Sequence, residues 1–366
     1  MDDMTKAAML MNAVRVPDRI FTRLCSDYDP AELWHSRSLW QELGLTDRMM
    51  ERLAEYLSSG WAESEDDRLY THGAKFITSK SIDYPARLSE LKNPPVGLYV
   101  KGGVNLSLPS VAIVGTRKCS AYAENVAANL GRALARAGII TVSGGARGID
   151  SAGHRGTLAE NGITVVIFGT GLDKTYPAEN RDMFSRILER GAWVSEYPFG
   201  TDGNTWRFPE RDRLIAAISA HIVIAESPQD GGAMHTAHEA LNLNRDVWSI
   251  PGRITDDTST GTNMLMREGV GIFVSIPDFI STITAGRELS IDFGGDDDDT
   301  SENTAESGQL SDDEKIIYSL LQRQGGITSD EIISVTGLDF MTVNMALMTL
   351  QSCGLVADNA GRFSAT

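Results

Sequence analysis

Apolar and polar positions follow three different rhythms along this chain. Up to about residue 65, apolar residues recur at helical spacing, as in Ala8-Met9-Leu10, Ile20-Phe21 with Leu24, Leu33-Trp34, Leu39-Trp40 with Leu43, and Leu53 with Leu57. That spacing predicts a small bundle of short helices. From residue 111 the rhythm changes to short β-branched runs near 111–114, 139–142, 164–168, 192–195, 222–225, 247–250 and 272–274, with helical stretches between them. Unbroken apolar runs of this kind are strands buried on both faces. A repeat of roughly 20 to 30 residues leaves room for the helix that a parallel crossover needs. Between these regions, Lys75-Phe76-Ile77-Thr78 and Gly97-Leu98-Tyr99-Val100 alternate with proline turns and read as an appendage to the sheet. Near the end, Ile316, Ile317, Leu320, Leu321, Ile332, Ile333, Val343, Leu347 and Leu350 return to helical intervals, with turns at Gly325-Gly326 and Gly337.

The expected fold class is therefore α/β: a doubly wound, Rossmann-like parallel sheet with a helical domain before it and a winged-helix-like domain after it. The boundaries fall at 1–66, 67–285, 286–310 and 311–366. The third segment contains Asp296-Asp297-Asp298-Asp299, Glu302 and Glu306 and reads as an acidic disordered linker. The charge run Glu63-Ser64-Glu65-Asp66-Asp67 is expected to be a solvated connection at the first boundary.

Two strand ends carry candidate chemistry. Val111-Ala112-Ile113-Val114 breaks at Gly115 and delivers Thr116, Arg117 and Lys118; Ile139 to Val142 breaks at Ser143-Gly144-Gly145 and delivers Arg147. Open α/β sheets bind ligands at the carboxyl ends of their strands. Glycines there admit a close approach, and the following helix points N–H groups at an anion. The residues after Gly115 do not spell the dinucleotide fingerprint, and no Walker loop is present, so NAD and triphosphate hydrolysis are disfavoured. Two phosphate-tolerant turns carrying cations remain.

These motifs, Val114-Gly115-Thr116-Arg117 and Ser143-Gly144-Gly145-Ala146-Arg147-Gly148-Ile149-Asp150 with His154, resemble the DNA-processing protein A (DprA/Smf) family. So do Gly169-Thr170-Gly171-Leu172-Asp173, Tyr176-Pro177, Asn180, Ser195-Glu196, Phe208-Pro209, Thr236-Ala237, Pro251-Gly252 and Gly261-Thr262-Asn263, in the family's order, with Tyr84-Pro85 and Asn93-Pro94-Pro95 upstream. The resemblance covers about residues 80 to 275. Two departures stand out: Arg211-Asp212-Arg213 replaces the usual Arg-Asn-Arg, and Gly231-Gly232-Ala233-Met234-His235 replaces a turn that usually begins with serine and glycine.

The resemblance implies a cytoplasmic homodimer that binds single-stranded DNA, protects it, and helps load the recombinase RecA during natural transformation, with no turnover and no cofactor. It implies a DNA site of Gly115, Thr116, Arg117, Lys118, Ser143, Gly144, Arg147, Arg211 and Arg213. The cations would line one groove, and Tyr122, Tyr176, Trp206 and Phe208 are available for base stacking. It also implies that the N-terminal helices form a sterile-alpha-motif-like or helix-hairpin-helix-like bundle. The turn Arg15-Val16-Pro17-Asp18-Arg19 lacks the glycine of a DNA-holding hairpin, so a structural or docking role is expected there.

Charge modifies the picture in one respect. The net charge of −17 argues against a nucleic-acid partner, but residues 286–366 alone hold 15 acidic and 4 basic groups. The central domain is therefore nearly balanced. The tail has few cations, and its candidate recognition helix, 339–350, has no lysine or arginine. Duplex binding would lack phosphate neutralisation there, and a protein-interaction module is expected instead. Three scattered cysteines suggest a reducing compartment, and no apolar run approaches the roughly 20 residues of a membrane helix.

Other constellations weigh less. His235 and His238 lack a third ligand, so a polar turn is expected rather than a metal site. Asp150 and His154 share a helix face and are assigned to capping and shaping the pocket. The rival to DNA binding is a nucleotide phosphoribohydrolase of the lysine-decarboxylase-like group, or a nucleotide sensor on the same scaffold. For the hydrolase, Glu239 stands one residue too far from Gly231-Gly232 to match the catalytic turn.

Overall fold

The computed structural model describes residues 1–285 and, beyond them, 317–318, 320–321, 328–336, 338, 342–343, 346–347, 349–350, 356–359 and 362–365. The acidic segment expected at 286–310 lies outside the described residues, as does part of the candidate recognition helix.

The chain opens with five helices: α1 (Asp3–Ala13), α2 (Asp18–Asp27), α3 (Arg37–Glu42), α4 (Asp47–Ser58) and α5 (Trp61–His72). Their starts are fixed locally. The side chains of Asp2, Ser36 and Thr46 accept from Thr5 N, Leu39 N and Met49 N at the heads of α1, α3 and α4, each satisfying an N–H the helix leaves open. Phe21, Leu24, Leu33, Leu39, Trp40 and Leu53 form the bundle core. Helix α1 is buried from Ala7 to Ala13. Leu10 and Met11 face the bundle, while Met9 enters a second core with Tyr99, Phe168 and Phe199. The bundle is thus packed onto the sheet.

The expected boundary at 66 falls inside α5, and the charge run is not a solvated connection throughout. Glu65 is fully buried, accepting from Phe199 N at 2.8 Å and from Arg68 Nη1 at 3.3 Å. Burial pushes its pKa up, while the Phe199 N–H and Arg68 pull the other way. A carboxylate with a buried N–H and a guanidinium for partners is tolerated where a bare one is not.

The rest of this unit runs β1 (Ala74–Thr78), β2 (Gly97–Gly102), β3 (Ser110–Val114), α6 (Ala121–Arg136), β4 (Ile140–Ser143), α7 (Ile149–Ala159), β5 (Thr164–Phe168), α8 (Arg181–Ile187), β6 (Ala192–Ser195), α9 (Arg207–Ile218), β7 (His221–Ile224), α10 (Gly232–Asn242), β8 (Asp246–Ser249), α11 (Thr260–Arg267), β9 (Gly271–Ile272) and α12 (Ile276–Thr284). One nine-stranded sheet results, in the order β1-β2-β6-β5-β4-β3-β7-β8-β9. All pairings are parallel except those of β2 with β6 and β1 with β2. The proline-rich appendage is therefore an antiparallel edge on the sheet.

Every residue of β3 is buried. Val111 and Ile113 pack with α6, α7 and α12 on one face, while Ala112 and Val114 pack with α9 and α10 on the other. Burial on both faces is the physical origin of the unbroken apolar run. Because β3 neighbours both β4 and β7, the winding reverses direction between β3 and β7. That reversal opens a crevice at the carboxyl ends of the two strands.

The second unit, from Leu289, is described by itself. Ile317, Leu321, Ile332, Val343, Leu347, Leu350 and Val356 form its core. A helix spans Ser329–Thr336, and β10 (Val356–Asn359) pairs antiparallel with β11 (Arg362–Ala365).

Candidate nucleic-acid interface at the strand rim

At the end of β3 the chain has no room for a side chain. A Cβ on Gly115 would stand 2.5 Å from Ile149 Cγ1 and 2.8 Å from Glu226 O, well inside van der Waals contact. Thr116 N donates to Glu226 O at 2.7 Å, and Ile149 N donates to Thr116 O at 3.4 Å. Gly148 has φ +70°, and a Cβ there would meet Thr116 O at 2.5 Å. The two cationic turns therefore lock against each other. Buried Glu226 fixes them from below, its carboxylate accepting from Ser120 N at 2.6 Å and from Thr258 Oγ1 at 2.8 Å. The next two residues, Arg117 and Lys118, are exposed. Among the described residues, neither is in a salt bridge, whereas Arg147, Arg211 and Arg213 all are.

The turn after β4 is held from inside. Ser143 is fully buried and donates to Ile113 O at 2.6 Å. Asp150 Oδ2 accepts from Gly144 N at 3.1 Å and Ala146 N at 3.2 Å, and Asn180 Nδ2 donates to Gly145 O at 3.0 Å. Asp150 thus shapes the turn. Burial pushes its pKa up, and the nearby Arg211 charge pulls it back. His154 lies deeper, with Nδ1 2.7 Å from Thr164 Oγ1, and burial pushes its pKa down to about 3. It is a neutral packing group.

Of the two α9 arginines expected in the groove, Arg211 lines it as a buried group already bonded to the protein, and Arg213 is turned away from it. Arg211 is 4% exposed, with its guanidinium donating to Gly144 O at 2.7 Å, to Ile167 O, and to Asp212 Oδ1 at 3.0 Å. It ties β4, β5 and α9 together at the wall of the crevice. Arg213 pairs with Glu196 at 2.5 Å, donates to Asn93 O at 3.0 Å, and lines a different cavity with Asn12 and Arg15. The reason is rotational, since residues two apart on a helix are separated by about 200°. Arg147 stays exposed in a surface ion pair with Glu179, which costs little to exchange for another anion.

The crevice between β3 and β7 is a cavity of about 560 Å³. One wall is 115–118, a second is the start of α9 with Phe208, Asp212 and Ile215, and a third is Gly231, Gly232, His235 and Thr236 at the start of α10. A smaller pocket of about 50 Å³ adjoins it between Gly144, Arg147 and Pro177. Tyr176 stacks on Phe208 with centroids 5.5 Å apart, and the Arg117 guanidinium lies 5.3 Å from the Phe208 ring. Tyr176 is 48% exposed. An exposed cation, a glycine turn and stacked rings suit a ligand that alternates phosphates with flat bases.

Sequence reasoning missed the third wall. The available signal was topological: the α10 turn follows β7, which pairs with β3. Asp212, the negative charge that stands where the family has an amide, lines the cavity with Arg211, His235 and Arg117. Burial holds its pKa above the usual carboxylate range, and the Arg211 guanidinium limits the rise. Glu239 lines the other cavity with Arg213. Among the described residues, no group of three or more His, Cys, Asp or Glu side chains could hold a metal ion, and no helix is long and apolar enough to cross a membrane.

Fold and site together define a Rossmann-like α/β protein with a cation-lined, aromatic crevice at its topological switch point. Residues 75–284 match the model of the DNA recombination-mediator protein A family, and the chain belongs to that family. It is 33% identical over 316 residues to the putative DNA processing protein DprA of Mycobacterium tuberculosis, covering 82% of this chain and 79% of that one. It is 32% identical over 314 residues to protein Smf of Synechocystis, covering 78% and 79%. The crystal structure of DprA from Streptococcus pneumoniae superposes with a TM-score of 0.65 at 28% identity, covering 77% of this chain and 98% of that one. A structure of DNA processing protein A from Helicobacter pylori, described for its single-stranded DNA binding mode, matches with a TM-score of 0.53 at 31% identity, covering 57% and 95%.

Proposed function

We propose that this chain binds single-stranded DNA along the carboxyl rim of its sheet, protects it, and helps pass it to RecA during natural transformation. It works as a cytoplasmic homodimer without chemical turnover. One observation carries the reading: Arg117 leaves a rigid glycine turn exposed, has no salt bridge among the described residues, and lies over the ring of Phe208. Its guanidinium can grip a phosphate through two N–H groups and cover a base at the same time. Lys118 and the exchangeable Arg147 extend the cationic path, and Tyr176 extends the stacking surface. These groups hold the sugar-phosphate chain and the base faces, which are common to all sequences, so binding is independent of sequence. The H. pylori relative's single-strand binding supports the choice of ligand.

The rival hydrolase would use Glu239 as its catalytic carboxylate, and Glu239 lines another cavity with Arg213. A gel-shift series with single-stranded DNA, duplex DNA and nucleoside monophosphates, each at several salt concentrations, tests the reading. Tight, salt-sensitive single-strand binding is expected. Monophosphate cleavage, or equal affinity for duplex, would overturn it. Two linked grooves on one strand raise avidity without new contacts. Light scattering should accordingly show a dimer at micromolar concentration, and a pure monomer would remove that part of the proposal.

A further inference from the structure

A second groove, of about 340 Å³, lies between the N-terminal bundle and the loop that enters α9. Its walls include Arg48, Met49 and Arg52 of α4, Arg15, and Trp206 with Glu210. Trp206 is 53% exposed, with the Arg207 guanidinium 4.8 Å from its ring. So large an indole, half exposed in a cationic groove and with a guanidinium against its ring, resembles a stacking platform more than a packing residue.

The charges are not self-compensated. Glu210, the groove's acid, is already bound by Arg15 at 2.5 Å and by the Tyr197 hydroxyl at 2.9 Å. Arg52 is held by Nη2 bonds to Ala13 O at 3.0 Å and Tyr56 Oη at 3.1 Å, which leaves N–H donors unspent. Arg48 is exposed and has no salt bridge among the described residues. Residues 48 and 52 are one turn apart on the same helix face. The groove also continues the rim: Thr205 and Phe208, on either side of Trp206 in the chain, both line the cavity at the β3–β7 crevice.

We infer that a strand leaving the rim cavity passes over Trp206, stacks a base on it, and lays the next phosphates on Arg48 and Arg52. The N-terminal bundle is then a second single-strand subsite, which acts through the face of α4 and not through the Arg15–Arg19 turn. This rests on the rim binding proposed above and extends its footprint.

The test compares DNA single strands of about 6 and about 24 nucleotides, which bracket the roughly 4–16 nucleotides such grooves cover. Arg48→Ala and Trp206→Ala should each weaken the long strand about tenfold, leave the short one unchanged, and melt like wild type. Arg117→Ala should weaken both lengths. Unchanged long-strand affinity in Arg48→Ala and Trp206→Ala, with Arg117→Ala weakening both lengths, would overturn this inference and leave the rim reading standing. No effect of Arg117→Ala on either length would overturn the rim reading and this extension with it. Charge reversal, Arg48→Glu, provides a second variant at the same exposed site. It should weaken the long strand more than Arg48→Ala does, and equal affinities would count against a phosphate at Arg48.

Discussion

Arg211→Met removes the one guanidinium that joins three elements beneath the rim. Gly144 O and Ile167 O lose a charged donor, and Asp212 loses its 3.0 Å partner. Each buried acceptor left unmatched costs about 1–3 kcal/mol, and breaking a buried ion pair costs about 3–5 kcal/mol. These losses share one side chain and do not add, so about 3–5 kcal/mol in total is expected. For a domain of this size, that corresponds to a fall in melting temperature of about 6–20 °C. Arg211→Lys should recover only part of it, because one ammonium cannot span the two carbonyls and the carboxylate.

The pH dependence supplies an independent readout. Burial raises the folded-state pKa of both Asp150 and Asp212, and Arg211 limits that rise. An acid whose pKa is raised on folding adds stability as pH falls through its folded value and loses it as pH rises. Without Arg211 the rise is larger, so the variant's deficit should be greatest at neutral pH and shrink on acidification. His154, pushed down to about 3 by burial and by the Arg211 charge, costs stability below its ordinary pKa; the cost is smaller without Arg211, which also shrinks the variant's deficit on acidification. Urea denaturation across a pH series measures it. A neutral-pH deficit below about 1 kcal/mol, or one that grows with acid, would refute this account of Arg211.

Arg117→Ala should shift stability by less than about 0.5 kcal/mol, weaken single-strand binding more than tenfold, and flatten the salt slope by about 0.7; paired melting and salt-titrated binding check it. Asp212→Asn removes a negative charge from the cavity and should tighten single-strand binding at neutral pH by roughly 1 kcal/mol, about fivefold. Because Asp212 is more readily neutral beside a phosphate, wild-type affinity should rise toward that of the variant as pH falls, which binding isotherms at several pH values will show. Truncation after residue 285 removes 15 acidic and 4 basic groups and should leave single-strand affinity unchanged or slightly higher; loss of binding in gel shifts would contradict it.

Much of the sheet, and the two turns that open the candidate site, were legible in the sequence. Residues 111–114, 139–142 and 164–168 announced themselves because a strand buried on both faces has to be apolar throughout. Gly115 and Gly148 marked the turns because the backbones meet there with no space for a Cβ. Arg117 and Lys118 could be placed since the turn itself aims them. The rest depended on contacts between residues far apart in the chain. Glu65 belongs to a charge run that looks solvated, and only the Phe199 N–H, 134 positions away, makes it a buried acceptor. Arg211 and Arg213 sit in one motif and look equivalent, yet helix rotation sends one into the buried wall of the crevice and the other to Glu196 and Asn93. The wall from Gly231 to Thr236 joins the site because β7, not a sequence neighbour, lies beside β3. Local pattern determined which segments are strands, turns and helices, since burial on both faces and backbone sterics act over a few residues. Which cation is free for a ligand was decided by the tertiary structure, because a guanidinium's role depends on the acceptors that distant segments bring within about 3 Å of it.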